Sequence, residues 1–316
     1  VTLTLVDLAT WQTVRQVALP KSIARQFGRD QQGRLWVDYE YVDTKTLIRF
    51  GDRRVQVLAP DGRLLRTLRP CADSTGGLHF MLEEVYILCQ ERQEGGFSMQ
   101  MATFQAQPLR FAAILPFEQP EHEFTVFESA SNGQIAVMMA YDYSTHTYLT
   151  LVYDLHQRQI IAKFLLPEEF AVSDILPAAD RFYLLNSRSF HRAAGNPQDV
   201  LVIHLSNPPT TMTLRTARRA PLLGALAGDE LYTLHGPLSQ KAWGQAAKYT
   251  LVRTNLKSGE HKNWPLTYYW NAQDMAVVDG KVVFALGNGL HQFDPTTGEL
   301  TGMVRILDAR EIIVVE

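Results

Sequence analysis

The chain has 316 residues, 30 Lys+Arg against 33 Asp+Glu for a formal charge of −3, and a mean hydropathy of −0.12. That balance argues against a partner held by phosphate neutralisation, so no nucleic acid is expected. The longest apolar runs, Phe111–Phe117 and Ile135–Ala140, fall far short of the roughly 20 residues that cross a bilayer, so no membrane insertion is expected either.

From the N-terminus, Leu3–Leu19 reads as two apolar alternations around a turn at Ala9-Thr10-Trp11. Ile23–Val37 is another such pair, and Val55–Leu68 a third, turning at Pro60-Asp61-Gly62. His79–Leu88 is a degenerate copy and Met99–Leu115 a loose one. Phe124–Met139 turns at Ser131-Asn132-Gly133, and Leu149–Leu166 at Leu155-His156-Gln157-Arg158. Ser173–Leu185 turns at Ala179-Asp180, Val200–Leu214 follows, and Leu223–Leu234 turns at Gly228-Asp229. Tyr249–Trp264 turns at Lys257-Ser258-Gly259, Met275–Leu286 at Asp279-Gly280, and Leu290–Val304 at Pro295-Thr296-Thr297-Gly298. Asn-Gly and Asp-Gly supply the positive φ that tight hairpins need. One apolar strand, Glu311–Val315, closes the chain.

Two hairpin types therefore alternate. The second type ends near 20, 70, 116, 167, 219, 266 and 306, at spacings of 50, 46, 51, 52, 47 and 40 residues. Two hairpins per period, with no sustained helical periodicity, make a four-stranded antiparallel blade. The expected fold is all-β, a β-propeller of seven blades in a single domain. Its blades are placed at 21–70, 71–116, 117–167, 168–219, 220–266 and 267–306, with a seventh joining 307–316 to 1–20. That last blade is one strand short, so six blades with a decorated terminus is the alternative. A β-sandwich has no reason to repeat at a fixed period.

Loops joining the second to the third strand, and the fourth to the next blade, emerge on one face of a propeller. The longest second-to-third connections are read as Asp38–Gly51, Gln90–Phe97, Tyr141–Tyr148, Asn186–Asp199 and His235–Ala247. Long loops on one face of a rigid scaffold are the usual place for a binding site. The first carries Asp38, Tyr39, Glu40 and Tyr41, and the third echoes that aromatic–acid alternation with Tyr141, Asp142, Tyr143 and His146. Others carry Arg188, His191 and Arg192, then His235 and Trp243, while Tyr269 and Trp270 lie on a fourth-strand connection. Tyr and Trp offer large rigid contact area with a polar tip, so these residues are the candidate ligand site. The competing reading of Asp38–Tyr41 is a strand running on past the sheet. His146, His191 and His235 come from different blades and are read as surface histidines; no metal ion and no cofactor are expected.

Cys71 and Cys89 flank a predicted strand pair that brings their backbones close, which favours a disulfide over two buried thiols. A disulfide points to a secreted or periplasmic protein, the cytoplasm being the alternative. No nucleophile elbow, phosphate loop or His-Glu-x-x-His motif is present.

Phe293-Asp294-Pro295-Thr296-Thr297-Gly298-Glu299-Leu300 and, more loosely, Leu58-Ala59-Pro60-Asp61-Gly62-Arg63 resemble the third-to-fourth-strand turns of the YVTN-type and quinoprotein amine dehydrogenase heavy-chain-like propellers. The heavy chains are similar in having one Cys before the first strand of a blade and another ending its second. The resemblance implies a propeller scaffold whose chemistry sits in a separate small subunit, so it assigns no catalytic residue here. Three readings follow. The leading one is a non-catalytic scaffold binding a protein or small ligand through its loop-rich face. The others are a heavy-chain-like dehydrogenase subunit and a channel-centred hydrolase or lyase, the last motivated by Glu91, Glu121, Glu123 and the loop histidines.

Overall fold

The structure, a computed structural model, describes residues 2–18, 22–42, 49–71, 74–81, 83–93, 96–117, 124–166, 170–186, 199–218, 220–236, 247–268, 272–306 and 312. The chain divides into two compact units: Val1–Leu5, Val14–Leu166 and Val315, and Val6–Thr13, Pro167–Val314 and Glu316. At the N-terminus β1 (Thr2–Asp7) and β2 (Gln12–Ala18) form a two-stranded sheet.

The first unit holds three four-stranded antiparallel meanders. They are β3 (Ser22–Arg29), β4 (Leu35–Val42), β5 (Arg49–Leu58) and β6 (Leu64–Leu68); β7 (Ser74–Phe80), β8 (Glu84–Gln93), β9 (Gly96–Gln105) and β10 (Arg110–Pro116); and β11 (Phe124–Ser131), β12 (Ile135–Asp142), β13 (Thr147–Asp154) and β14 (Gln159–Leu165). The second unit holds three more. They are β15 (Val172–Pro177), β16 (Arg181–Asn186), β17 (Asp199–His204) and β18 (Thr210–Arg215); β19 (Pro221–Ala227), β20 (Glu230–His235), β21 (Ala247–Asn255) and β22 (His261–Tyr268); and β23 (Ala272–Val278), β24 (Lys281–Leu286), β25 (Gly289–Asp294) and β26 (Glu299–Arg305).

The burial gradient across each meander follows from its sequence. Second strands such as Phe182-Tyr183-Leu184-Leu185 and Val282-Val283-Phe284-Ala285-Leu286 are apolar on both faces and buried throughout. Fourth strands such as β14 alternate between exposed and half-buried residues, the pattern of a strand covered on one side only. In the first unit Tyr86, Leu88 and Met101 pack with Met138, Leu151 and Tyr153 of the next sheet. In the second, Leu234, Leu251 and Trp264 pack with Met275, Phe284 and Phe293.

Every first strand carries a β-bulge at the corresponding place: Ala24/Gln26, Thr75/Gly77 and Val126/Glu128 in one unit, Val172/Asp174, Pro221/Leu223 and Ala272/Asp274 in the other. At three of these bulges the post-bulge side chain accepts a backbone N–H from a later segment of its own unit. Leu78 N donates to Gln26 Oε1 at 2.7 Å, Gly224 N to Asp174 Oδ2 at 3.0 Å, and Ile312 N to Asp274 Oδ2 at 2.6 Å. Cys71 and Cys89 form the expected disulfide, with Cα atoms 5.3 Å apart.

The count of seven blades is not met. The described residues make six four-stranded sheets, and among them the residues expected to form a seventh contribute the β1–β2 pair. The expected closing strand Glu311–Val315 lies outside the described residues except for Ile312, which belongs to no strand.

Candidate ligand-binding site

Of the five connections read as long loops, two are mostly strand and a third is half strand. β4 runs to Val42 before β5 starts at Arg49, β8 to Gln93 before Gly96, and β12 to Asp142 before Thr147. The alternation of Tyr with acid that marked the first and third of them is itself the period-two pattern of a strand. Asp38 pairs with Gln26 and Val55, Tyr39 with Ala24 and Arg54, and both are interior residues, each 1% exposed. Glu40 and Tyr41 continue β4, their side chains lying outside what is described. The connections 187–198 and 237–246 are long, but Arg188, His191, Arg192 and Trp243 on them, with Tyr269 and Trp270, lie outside the described residues. His235 is buried, its Nε2 2.8 Å from Thr233 Oγ1, and so takes part in packing its own sheet.

Tyr141, Asp142, Tyr143 and His146 do come together, at the β12–β13 hairpin of the first unit. Asp142 Oδ1 accepts from Ser144 N at 2.8 Å, Ser144 Oγ at 2.6 Å and Thr145 N at 3.4 Å, and His146 closes the turn with φ 55°. A carboxylate that captures the amides two and three residues on makes an Asx turn, which is why a short polar tetrapeptide suffices here. Burial alone would push the Asp142 carboxyl up, but these hydrogen bonds outweigh it and hold it below the usual carboxylate range.

Tyr141 is the hub of an aromatic cluster. Its ring centroid lies 5.0 Å from that of Tyr143, edge-on, 5.0 Å from that of Tyr148 at 58°, and 6.4 Å from His146. Its hydroxyl is 3.2 Å from His146 Nδ1, and Thr125 Oγ1 donates to the Tyr143 hydroxyl at 3.1 Å. Phe127, the bulged residue of β11, lies 6.2 Å from Tyr148. Despite these contacts Tyr143, Tyr148 and Phe127 are 39%, 49% and 52% exposed. The rings thus form a partly exposed aromatic surface on this hairpin.

No protein-family model matches the chain, and no curated protein matches its sequence. Solved structures do. A functionally unknown protein from Desulfotomaculum acetoxidans superposes with a TM-score of 0.59 at 11% identity over 98% of this chain and 93% of that one. The WD40 domain of Neurospora crassa Pan2 gives 0.59 at 10% identity, covering 90% and 80%. The β-propeller domain of the Trilobed protease from Pyrococcus furiosus, described as having an open velcro topology, gives 0.58 at 9% identity, covering 91% and 85%. The fold is a β-propeller. At such identities the likeness extends to the fold alone.

Sequence reasoning missed three residues at this blade end: Phe127, Glu128 and Tyr148. Glu128 pairs directly with Met139, two residues from Tyr141, and so shares its sheet face. Glu128 is exposed at the surface, and the protein around its carboxyl pushes it up to about 7. Tyr148 was legible as the partner of Tyr141 across a hairpin. Phe127 and Glu128 were not, because strict alternation puts neighbours on opposite faces and only the bulge brings both round.

Proposed function

We propose that this propeller is a non-catalytic binding scaffold and that the β12–β13 end of its third blade holds the ligand. The observation that carries this is the exposure of Phe127, Tyr143 and Tyr148 around Tyr141 on a hairpin locked by Asp142. Large exposed rings on a rigid element supply contact area at little cost in conformational entropy. Screening peptides and small molecules by thermal shift against the wild type, Tyr143→Ala and Tyr148→Ala tests it. Hits that shift the wild type and not the variants support the placement; hits indifferent to both substitutions overturn it.

In the second unit, the long connections bearing Arg188, His191, Arg192 and Trp243 are proposed as binding loops in their own right. The Cys71–Cys89 bridge supports an oxidising compartment, secreted or periplasmic. The same bridge favours a heavy-chain-like subunit as the second reading; co-purification with a small cysteine-rich companion is its test. The bond from Ile312 N to Asp274, equivalent to those from Leu78 and Gly224, supports reading 311–315 as the first strand of one further blade with β1 and β2.

A further inference from the structure

We infer that the group recognised at this aromatic cluster is a small alkylated ammonium ion, held by the inclined faces of Tyr148, Tyr143 and Phe127 with Glu128 supplying the countercharge. The inference rests on the site proposed above and names its ligand class.

The geometry argues against a flat ligand. Tyr141 and Tyr143 are inclined at 86°, Tyr141 and Tyr148 at 58°, and Phe127 and Tyr148 at 45°. No two of these rings form a shared plane on which a sugar or a base would stack. Rings facing several directions instead suit a compact, roughly spherical group.

Their chemistry selects its charge. The Tyr141 and Tyr143 hydroxyls are already engaged by His146 and Thr125, so much of what the cluster offers outward is ring face. A ring face is the negative pole of the aromatic quadrupole and attracts cations, most strongly poorly hydrated ones. The segment Phe124–Tyr148 contains Glu128 and Asp142 and no Lys or Arg. Pairing of Glu128 with Met139 and of Thr125 with Tyr141, which in turn pairs with Tyr148, puts the Glu128 carboxyl on the face that bears Tyr141 and Tyr148. A bare metal ion or a primary ammonium is held by hydration and hydrogen bonds, which ring faces do not replace. An alkylated ammonium gives up little hydration and presents methyl groups to the rings.

The experiment is a calorimetric and NMR titration with choline and with its uncharged isostere 3,3-dimethylbutanol, at pH 8.5. Choline is expected to bind and the isostere to bind at least about 5-fold more weakly. Tyr148→Leu, which keeps apolar bulk without a π face, is expected to weaken choline about 2–5-fold, and Glu128→Gln to weaken it further still, with both variants melting like the wild type. Equal binding of choline and the isostere, or no choline binding up to tens of millimolar, overturns the inference. If uncharged ligands bind in a Tyr148-dependent way while choline does not, the ligand class is wrong and the site stands. If no ligand of any class depends on Tyr148, the site itself is wrong.

Discussion

Replacing His79 by leucine should flatten the acid limb of the stability curve. His79 lies on β7, paired with Tyr86 and wholly buried, and neither ring nitrogen has a hydrogen-bond partner among the described residues. Burial therefore disfavours the imidazolium and pulls the group from an ordinary 6.5 down to about 4. The unfolded chain takes up a proton near 6.5, whereas the folded one does not until about 4. Between those values the unfolded state binds more protons, so stability falls as pH falls, and the loss levels off below 4. The gap corresponds to about 2 kcal/mol by pH 5 and about 3 kcal/mol by pH 4.

The assay is the urea midpoint of wild type and His79→Leu at several pH values from 7.5 to 4. Near neutrality the variant should be at least as stable as the wild type, because a buried unpaired polar group costs about 1–3 kcal/mol that leucine avoids. Titration of Asp274, Glu128 and the surface carboxylates is common to both proteins and cancels in the difference. Stability curves that stay parallel down to pH 4 would refute the reasoning, as would a folded-state His79 NMR signal that titrates near 6.5.

Three further outcomes are expected. Reducing the Cys71–Cys89 bridge, which closes an 18-residue span, should cost about 3 kcal/mol in the urea midpoint and leave a Cys71→Ala/Cys89→Ala variant unaffected by reductant. Asp30→Ala should cost about 3 kcal/mol and alter tryptophan fluorescence. Asp30 accepts from Arg34 Nε at 2.7 Å and Trp36 Nε1 at 2.8 Å, and both donors would be left behind in partly or fully buried positions. Asp274→Asn keeps an acceptor for Ile312 N. Because burial raises the Asp274 carboxyl from 3.8 to about 6, the wild type loses stability relative to the variant as pH rises between those values, by at most about 3 kcal/mol, and the loss levels off above 6; equal pH profiles count against it.

The blades were legible because their signals are local. Asp279 and Gly280 take φ 49° and 72°, the conformation that an Asp-Gly hairpin turn requires, and apolar alternation on either side gives β23 and β24. The bulges were not legible, since one extra residue in a strand leaves no trace in an alternating pattern. With them went the exposure of Phe127 and the placing of Glu128. Alternating Tyr and acid was ambiguous between loop and strand. Burial resolved it oppositely in two blades, with Tyr39 interior and Tyr143 at a turn open to solvent. The seventh blade depended on terminal residues whose pairing no local signal specifies.

One turn, used five times among the described residues, shows how an exposed aromatic surface arises on this scaffold. Asp7, Asp142, Asp154, Asn255 and Asp294 each accept the amide two residues on. The fourth residue after each has positive φ: Trp11, His146, Arg158, Gly259 and Gly298. At the β1–β2 hairpin and the third-to-fourth-strand turns, the residue after the acceptor is Leu8, Leu155, Leu256 or Pro295, each buried or half-buried. In the β12–β13 copy that residue is Tyr143, and it is exposed. The backbone solution is the same while the position that elsewhere anchors the turn inward carries an aromatic ring outward. An Asp142→Asn variant, which retains the acceptor oxygen, should therefore preserve the hairpin and leave Tyr143 in place, whereas Asp142→Ala should disorder both. Ligand binding lost in the alanine variant and kept in the asparagine variant would tie recognition to the turn.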